Sequence, residues 1–492
     1  MSGIAGLVAD WAASVRYEDI PERVLQRARL QSVSVLGAVL AGASSDLATR
    51  VRKAAARWGS ADQSTLIPGG ERVPSHTACY VNAAASVAFD FDDYLFAGHT
   101  GHSSVLGAIA YGEATGASGR DVLAAQVVGN EVGGRLGAAF LLGPHNGQMW
   151  TYIHALEGAC VAGRLLGLDA EQIRNAIGIA LAQPPYPLSP AFFGPDSKAL
   201  LVSAPFVEGV RAAELAAEGL TGAEDIIGDE NGMLRKIGAQ PLGFVFSGFG
   251  SAWVTESLAY KLYPGCAYVD TPVDALEEIR AAFAEKHGRP LAADDVSRVR
   301  VAGTMFTAGM EAMATPYRSR ERITPVDVNF SVGLSYGVLL VLGEISPATL
   351  AHDVLDKHRE AILAVYDRVT VEQDGELTMQ VGGLGDLGID AAQIFSNPDS
   401  LTLDGADFSA FQMRFPARVT LETTSGDELT AEVAIPAGAP GRPLEEVERS
   451  VRDKFLRGAT GVIADPEAAL AAALAIDAEP DLRKAIGLLT RR

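Results

Sequence analysis

Apolar residues recur at helical spacing through the first half of the chain. Over 21–40 the positions Val24, Leu25, Ala28, Val33, Leu36, Val39 and Leu40 fall on one face, the 3.6-residue period of an amphipathic helix. Pro21 suits a first helical position, and Gly42 suits a C-terminal stop. Alanine-rich segments at 82–89, 103–115 and 120–141 predict further helices, with Gly116 and Gly119 separating the last two. Gly129, Gly133 and Gly134 inside the 120–141 segment weaken a helix locally and so point to close helix packing. Helices are also predicted over 151–166, 170–182 and 203–218. The pattern changes near Tyr263-Pro264-Gly265-Cys266. A helix at 271–286 precedes an alternating strand at 296–302, and 327–342 is again helical and apolar. Strands are predicted at 368–373, 376–381 and 418–423, with Gly426-Asp427 as a hairpin turn and 429–435 as the returning strand. Helices close the sequence: Pro443 opens one, and Asp465 caps another that has Pro466 at its first position.

This order predicts a mainly α fold: a large helical domain formed by 1–264 plus 441–492, with a smaller α+β lid inserted at 265–440. The C-terminal helices are too few to make a core alone and should pack back onto the first part. No internal repeat is visible.

Composition narrows the function. At 492 residues the chain exceeds one hydrophobic core. A hydrophobic content of 48% with 21% charged residues fits a folded globular protein. The formal net charge of −21 disfavours nucleic acid and anionic membrane as partners, although a pocket can be locally basic. Cys79, Cys160 and Cys266 are far apart and form no CxxC pair, which argues against a disulfide framework or a cysteine-rich zinc site. No basic region precedes the first apolar residues, and the longest apolar run, 330–343, is too short to span a bilayer. The cytoplasm is the default location.

The densest chemistry lies between Phe89 and Ser103. Asp90, Asp92, Asp93, His99 and His102 share this stretch with Phe89, Phe91, Tyr94 and Phe96. Apolar neighbours shift pKa values, and histidine titrates near neutrality, so the cluster is a candidate acid–base site. Three other readings stand beside it. The acids can cap the helix that starts near Ser103. His99 and His102 with an aspartate can form a metal site. Asp90-Phe91-Asp92 has the spacing of an aspartyl-phosphate motif. Elsewhere, His154 opens an apolar helix, and Lys198 follows the turn Gly194-Pro195-Asp196-Ser197, where an ammonium can meet a carboxylate. Gly383-Leu-Gly385-Asp-Leu-Gly388 matches GxGxxG without a strand–turn–helix context. There is no P-loop, GxSxG or HExxH motif.

Taken in order, these fragments resemble the MmgE/PrpD family. The series runs Asp90-Phe-Asp-Asp93, His102-Ser103, Gly112-Glu113…Gly116-Ala-Ser-Gly119, Gly129-Asn-Glu-Val…Arg135-Leu-Gly137, His154 and Ser197-Lys198. It continues through Glu218-Gly-Leu-Thr-Gly222, Tyr263-Pro264-Gly-Cys266, 323–331 and Lys454-Phe455. The resemblance implies a helical domain with an α+β lid, usually a homodimer, a site at the domain junction, and no metal or organic cofactor. It implies Asp90, His102, His154 and Lys198 as site positions. Many members place a histidine where this chain has Asp270, with Tyr268 nearby, and Asp-Asp-Thr where it has Asp92-Asp93-Tyr94; residues 376–412 look like extra length.

The expected function is a cofactor-independent lyase, a dehydratase or decarboxylase, acting on a small polycarboxylate by proton transfer alpha to a carboxylate. His102 and His154 are the expected proton-transfer groups, Asp90 an orienting or base partner, and Lys198 the carboxylate anchor. His99, Tyr268, Asp270 and Arg322 are further substrate-binding candidates. An epimerase using the same site, and a non-catalytic acid-binding member, remain open alternatives.

Overall fold

The structure, a computed structural model, describes residues 3–141, 151–382 and 385–491. Helices hold 58% of the chain and strands 8%, so the protein is mainly α, as the periodicity predicts. No single helix among the described residues is long and apolar enough to cross a membrane.

The helices Glu22–Gly42, Ser75–Val87, Gly101–Thr115, Gly119–Ala139, Ile153–Leu165 and Ser197–Ala217 pack on one another. Leu444–Ala459 returns to lie along Glu22–Gly42. It is amphipathic, and its Val447, Val451, Lys454 and Phe455 are buried. Together these helices enclose one large apolar core.

A second core surrounds a four-stranded sheet. Its strand order is Val369–Gln373, Val296–Gly303, Ala417–Thr423 and Glu428–Val433. The first pair is parallel and the other two are antiparallel. Val299, Val301, Val419, Leu421 and Val433 turn one face toward Leu276, Ile279 and Phe283 of the helix Ala267–His287. Alternation along each strand puts one side of the sheet against that helix. Phe89 and Phe91 also belong to this second core, so the segment that carries Asp90 reaches across to it. Residues Leu387, Ile389, Ile394, Leu403, Phe408 and Phe411, from the extra length in the middle of the chain, join the first core instead.

Local departures from the expected elements have local causes. The strand expected at 376–381 is the short helix Gly375–Met379, because Asp374 accepts hydrogen bonds from the amides of Glu376 and Leu377 and caps it. The helix expected over 327–342 breaks into Pro325–Asn329 and Val332–Leu342, since Ser331 caps the second piece through the Leu334 amide. Helices begin earlier than expected, at Ser75 and at Ser197. Of the GxGxxG run, Gly383 and Leu384 lie outside the described residues, and Gly385–Leu387 is a single turn.

Two glycines let the helices Ile153–Leu165 and Ser197–Ala217 cross closely. Gly158 on Ile153–Leu165 faces the Phe206 carbonyl, and Gly209 on Ser197–Ala217 faces the Ala155 carbonyl. A Cβ at 209 would lie 2.1 Å from that carbonyl oxygen, so the helices could not keep this approach. Gly209→Ala is expected to destabilise the protein by about 2 kcal/mol, the usual cost of overpacking, read as a lower Tm in thermal unfolding.

Candidate active site

The two helices joined at that crossing each begin with a polar side chain. His154 is the second residue of Ile153–Leu165, and Lys198 is the second residue of Ser197–Ala217. Between them runs the acidic loop that follows Ser75–Val87. It is pinned by a two-residue bridge, in which Asp93 pairs with Tyr260 and Tyr94 with Ala259. The bridge sets Lys261 beside Asp92, whose carbonyl accepts the Lys261 amide at 3.1 Å.

The side chains form a continuous buried chain of contacts. Lys261 Nζ donates to Asp92 Oδ1 at 2.8 Å and to the Asp90 carbonyl at 3.3 Å, and it lies 3.2 Å from Asp90 Oδ1. Lys198 Nζ lies 3.0 Å from Asp90 Oδ1 but out of hydrogen-bonding alignment, so its donors remain unspent. The rings of Phe330 and Phe192 sit 5.0 and 5.8 Å from the same ammonium. Asp92 Oδ2 faces two imidazoles, His102 Nε2 at 2.9 Å and His99 Nδ1 at 3.0 Å. His102 Nδ1 meets Ser86 Oγ at 2.7 Å, so both of its nitrogens are engaged. The His154 ring is 6.1 Å from that of His102, edge to face. His154 Nδ1 meets Ser103 Oγ at 2.8 Å, while Nε2 is buried with no partner among the described residues.

Asp90 is the non-glycine residue with positive φ among the described residues, at +53°. Aspartate tolerates this region at modest cost. The turn is held by the Gly265 amide, which donates to the Asp90 carbonyl at 3.1 Å.

Burial and charge set the protonation pattern. Burial alone would raise both Asp90 and Asp92. The Lys198 and Lys261 ammonium groups hold Asp90 below the usual carboxylate range. Lys261, with His102 and His99, holds Asp92 well below it. Asp93 has no such cation, and burial beside Asp92 pushes it up to about 6. Burial pushes His154 well below the ordinary histidine value, helped by His102 and His99, so its imidazole is neutral. Burial drives Asp270 well above the carboxylate range, with Asp274 adding to the effect. Its partner is the Tyr94 hydroxyl, which donates at 3.4 Å.

The structure thus gathers Asp90, His99, His102, His154 and Lys198 into one cluster. Tyr268, half-buried, stacks on Phe306, and both it and Tyr94 pack against Phe415. Arg322 stands apart: it is exposed, with no hydrogen bond to the cluster among the described residues. The metal reading of His99 and His102 meets an ion-pair arrangement, because both rings turn a nitrogen to one Asp92 oxygen. No group of three His, Cys, Asp or Glu among the described residues has the arrangement of metal ligands.

Several residues escaped the sequence reading. Lys261 is a lone lysine in a fully buried stretch. Lys454 sits at core-facing spacing with Val447 and Val451. It donates to Ser34 Oγ at 2.8 Å and to the Asp92 carbonyl at 3.1 Å, over the Phe91 ring, and burial lowers it to about 7. Asn329 is buried with both side-chain polar atoms unpartnered among the described residues, and its carbonyl accepts the Cys266 amide. An acid or base on the apolar face of a helix was the available signal for Lys454 and for Glu157. A cavity of about 1080 Å³ is lined by Phe89 and Phe91 but not by Asp90, Lys198 or Lys261. Its acids Asp46, Asp196, Glu277, Glu344 and Asp353 outnumber Arg457, a balance that repels anions.

Two outcomes test this electrostatic account. Lys261→Met leaves buried Asp92 without its lysine, and Asp90 with Lys198, and is expected to cost about 3 kcal/mol of stability; adding Asp92→Asn should recover part of it in urea unfolding. Asp93 has the opposite sign. Its folded pKa of about 6 exceeds the unfolded value of about 3.9. The folded state therefore binds the extra proton, and this contribution is complete below about pH 4 and lost as pH rises through about 6. Asp93→Asn should remove that pH dependence, on the order of 3 kcal/mol, seen by comparing unfolding curves at acid and neutral pH.

Comparison with known proteins fits this geometry. Residues 7–242 match the MmgE/PrpD N-terminal domain. A cis-aconitate decarboxylase from Aspergillus terreus is 27% identical over 305 residues, covering 58% of this chain and 61% of that protein. The match therefore spans about three fifths of that curated relative. A cis-aconitate decarboxylase-like protein from Aspergillus oryzae is 22% identical over 479 residues, 93% of this chain and 90% of its own length. The human cis-aconitate decarboxylase is 26% identical over 275 residues, 53% of this chain and 56% of its own. With the ordered motifs of the acidic loop, His154 and Lys198 falling inside the matched residues, residues 7–242 form an MmgE/PrpD N-terminal domain.

Proposed function

We propose that this protein is a cofactor-independent lyase that acts on a small polycarboxylate, with decarboxylation as the preferred reaction. The observation that carries this reading is a pair of unspent groups in one buried cluster: the Lys198 ammonium, out of alignment with the Asp90 carboxylate, and the Nε2 of a neutral His154, which has no partner among the described residues. A substrate carboxylate gains a buried cation at Lys198, where such charge is worth far more than in water. His154 then supplies or removes the proton at the neighbouring carbon. When a carboxylate leaves as carbon dioxide, its electron pair stays on carbon and spreads onto an adjacent carboxylate. Lys198 stabilises that charge, and proton delivery completes the step. The names of the relatives favour decarboxylation over loss of water.

A second reading is an epimerase. Two imidazoles on separate helices, His102 and His154, lie with ring centres 6.1 Å apart, which offers one base and one acid on different sides of a carbon.

A panel of di- and tricarboxylates, including unsaturated, hydroxylated and amino-substituted acids, followed by mass spectrometry in deuterated water, separates the two. A lyase releases carbon dioxide or water; an epimerase exchanges deuterium with no loss of mass. Lys198→Ala and His154→Ala are each expected to lower turnover at least about 100-fold while leaving the fold intact by circular dichroism. Near-parental rates in both variants would remove these roles.

A further inference from the structure

The polar chain continues beyond His154. Ser103 Oγ, 2.8 Å from His154 Nδ1, is also hydrogen-bonded to Glu157 Oε2. Glu157 lies one turn after His154 on the same helix, and Ser103 comes from Gly101–Thr115. All three side chains are fully buried. Gly133 makes the space for the carboxyl, since a Cβ there would lie 1.8 Å from Glu157 Oε1. Among the described residues Glu157 meets no lysine or arginine; its one ion-pair neighbour is His154 Nδ1 at 3.8 Å. A carboxyl in such a place keeps its proton, and burial drives Glu157 well above the usual carboxylate range.

The hydrogens can be ordered in two ways. In one, the Glu157 O–H donates to Ser103 Oγ, the Ser103 O–H donates to His154 Nδ1, and the ring's own hydrogen sits on Nε2; in the other all three reverse and the carboxyl hydrogen sits on Oε1. Neither Nε2 nor Oε1 has a partner among the described residues, but Oε1 lies against Gly133, whereas Nε2 is the atom that would meet a substrate, so the first order is the one that serves proton delivery. A neutral imidazole is a poor acid, because losing the Nε2 hydrogen alone would leave an imidazolate. It becomes an effective one if Nδ1 gains a proton as Nε2 gives one up.

We propose that Ser103 and Glu157 form a proton relay behind His154, with Glu157 as a buried proton store. The proposal rests on His154 as the proton-transfer group. In the step, the Nε2–H bond breaks as a C–H bond forms at the substrate carbon that holds the electron pair. The Ser103 hydroxyl proton passes to Nδ1, and the Glu157 proton passes to Ser103 Oγ. His154 ends neutral as its other tautomer, Ser103 is unchanged, and Glu157 becomes a carboxylate. The negative charge has moved from the substrate carbon to Glu157, and no buried imidazolium or imidazolate forms. One proton taken from solvent at Nε2, with the relay running in reverse, restores both the His154 tautomer and the Glu157 proton in each turnover and balances the one the product carries away. Ser103 and Glu157 are positioning residues that act through His154.

Glu157→Gln keeps the shape and still donates to Ser103 but has no proton to release; Ser103→Ala breaks the middle link and is the second variant. On an acid that the parent turns over, kcat should fall about 100-fold in each, with KM within about threefold. The proton inventory in mixed light and heavy water should change from curved to straight, a change that a purely structural role would not cause. Independently of any substrate, nitrogen NMR of histidine-labelled parent protein should show His154 as the neutral Nε2–H tautomer near neutral pH. An Nδ1–H tautomer or an imidazolium in the parent overturns the relay, as does a Glu157→Gln kcat within about twofold of the parent. If the tautomer is as expected but no acid in the panel reacts, the lyase reading fails and the hydrogen-bond order behind His154 stands.

Discussion

Two carboxylates buried two residues apart need a cation in their midst, and the Lys261 ammonium is that cation. It touches Asp92 and Asp90 at once. Without it the loop would have to take up protons or open to water. With it Asp92 stays ionised and can hold His99 and His102, while Asp90 stays ionised beside Lys198. The positions of the imidazoles and of the free ammonium follow from that one neutralisation. Asp93, one residue further, makes no contact with Lys261 and is bonded instead by Gln31. Adjacent aspartates in one loop thus titrate in different ranges, Asp92 well below the usual carboxylate range and Asp93 at about 6.

Much of this was legible in the sequence. Helical spacing in the first half gave the helices because each buries a continuous stripe, and strand alternation at 296–302 and 418–423 survived because one face of that sheet meets a helix. The crowding of acids and histidines after Phe89 was visible because it is local. Lys261 was not, since its place depends on a two-residue pairing between segments far apart in the chain, too short to leave a period. Lys454 was legible only as part of the Lys454-Phe455 pair; its place beside Asp92, like the role of Glu157, was hidden for the opposite reason: each interrupts an otherwise apolar helix face, and an isolated charge there reads as an imperfection of the stripe. The strand expected at 376–381 failed because a single capping aspartate outweighed the alternation.

The arrangement of the two cores gives the site its seclusion. Phe89 and Phe91 pack into the second core on either side of Asp90, so the acid is clamped between apolar neighbours. The large acidic cavity touches those rings and none of the lysines that bind Asp90. An anionic molecule entering there would meet carboxylates first. Electrostatics therefore make this cavity a poor antechamber for a polycarboxylate, and favour an approach from another side of the lysine cluster.

The Lys454 ammonium reaches the Asp92 carbonyl across 362 residues of sequence. During synthesis the acidic loop, His154 and Lys198 all leave the ribosome hundreds of codons before this donor exists. A nascent chain can stack its early helices, yet the loop's last tether arrives only when the helix Leu444–Ala459 has emerged and docked beside Glu22–Gly42. Assembly of the centre is thereby a late event, timed by the carboxy-terminal part of the polypeptide rather than by the segment that bears its acids.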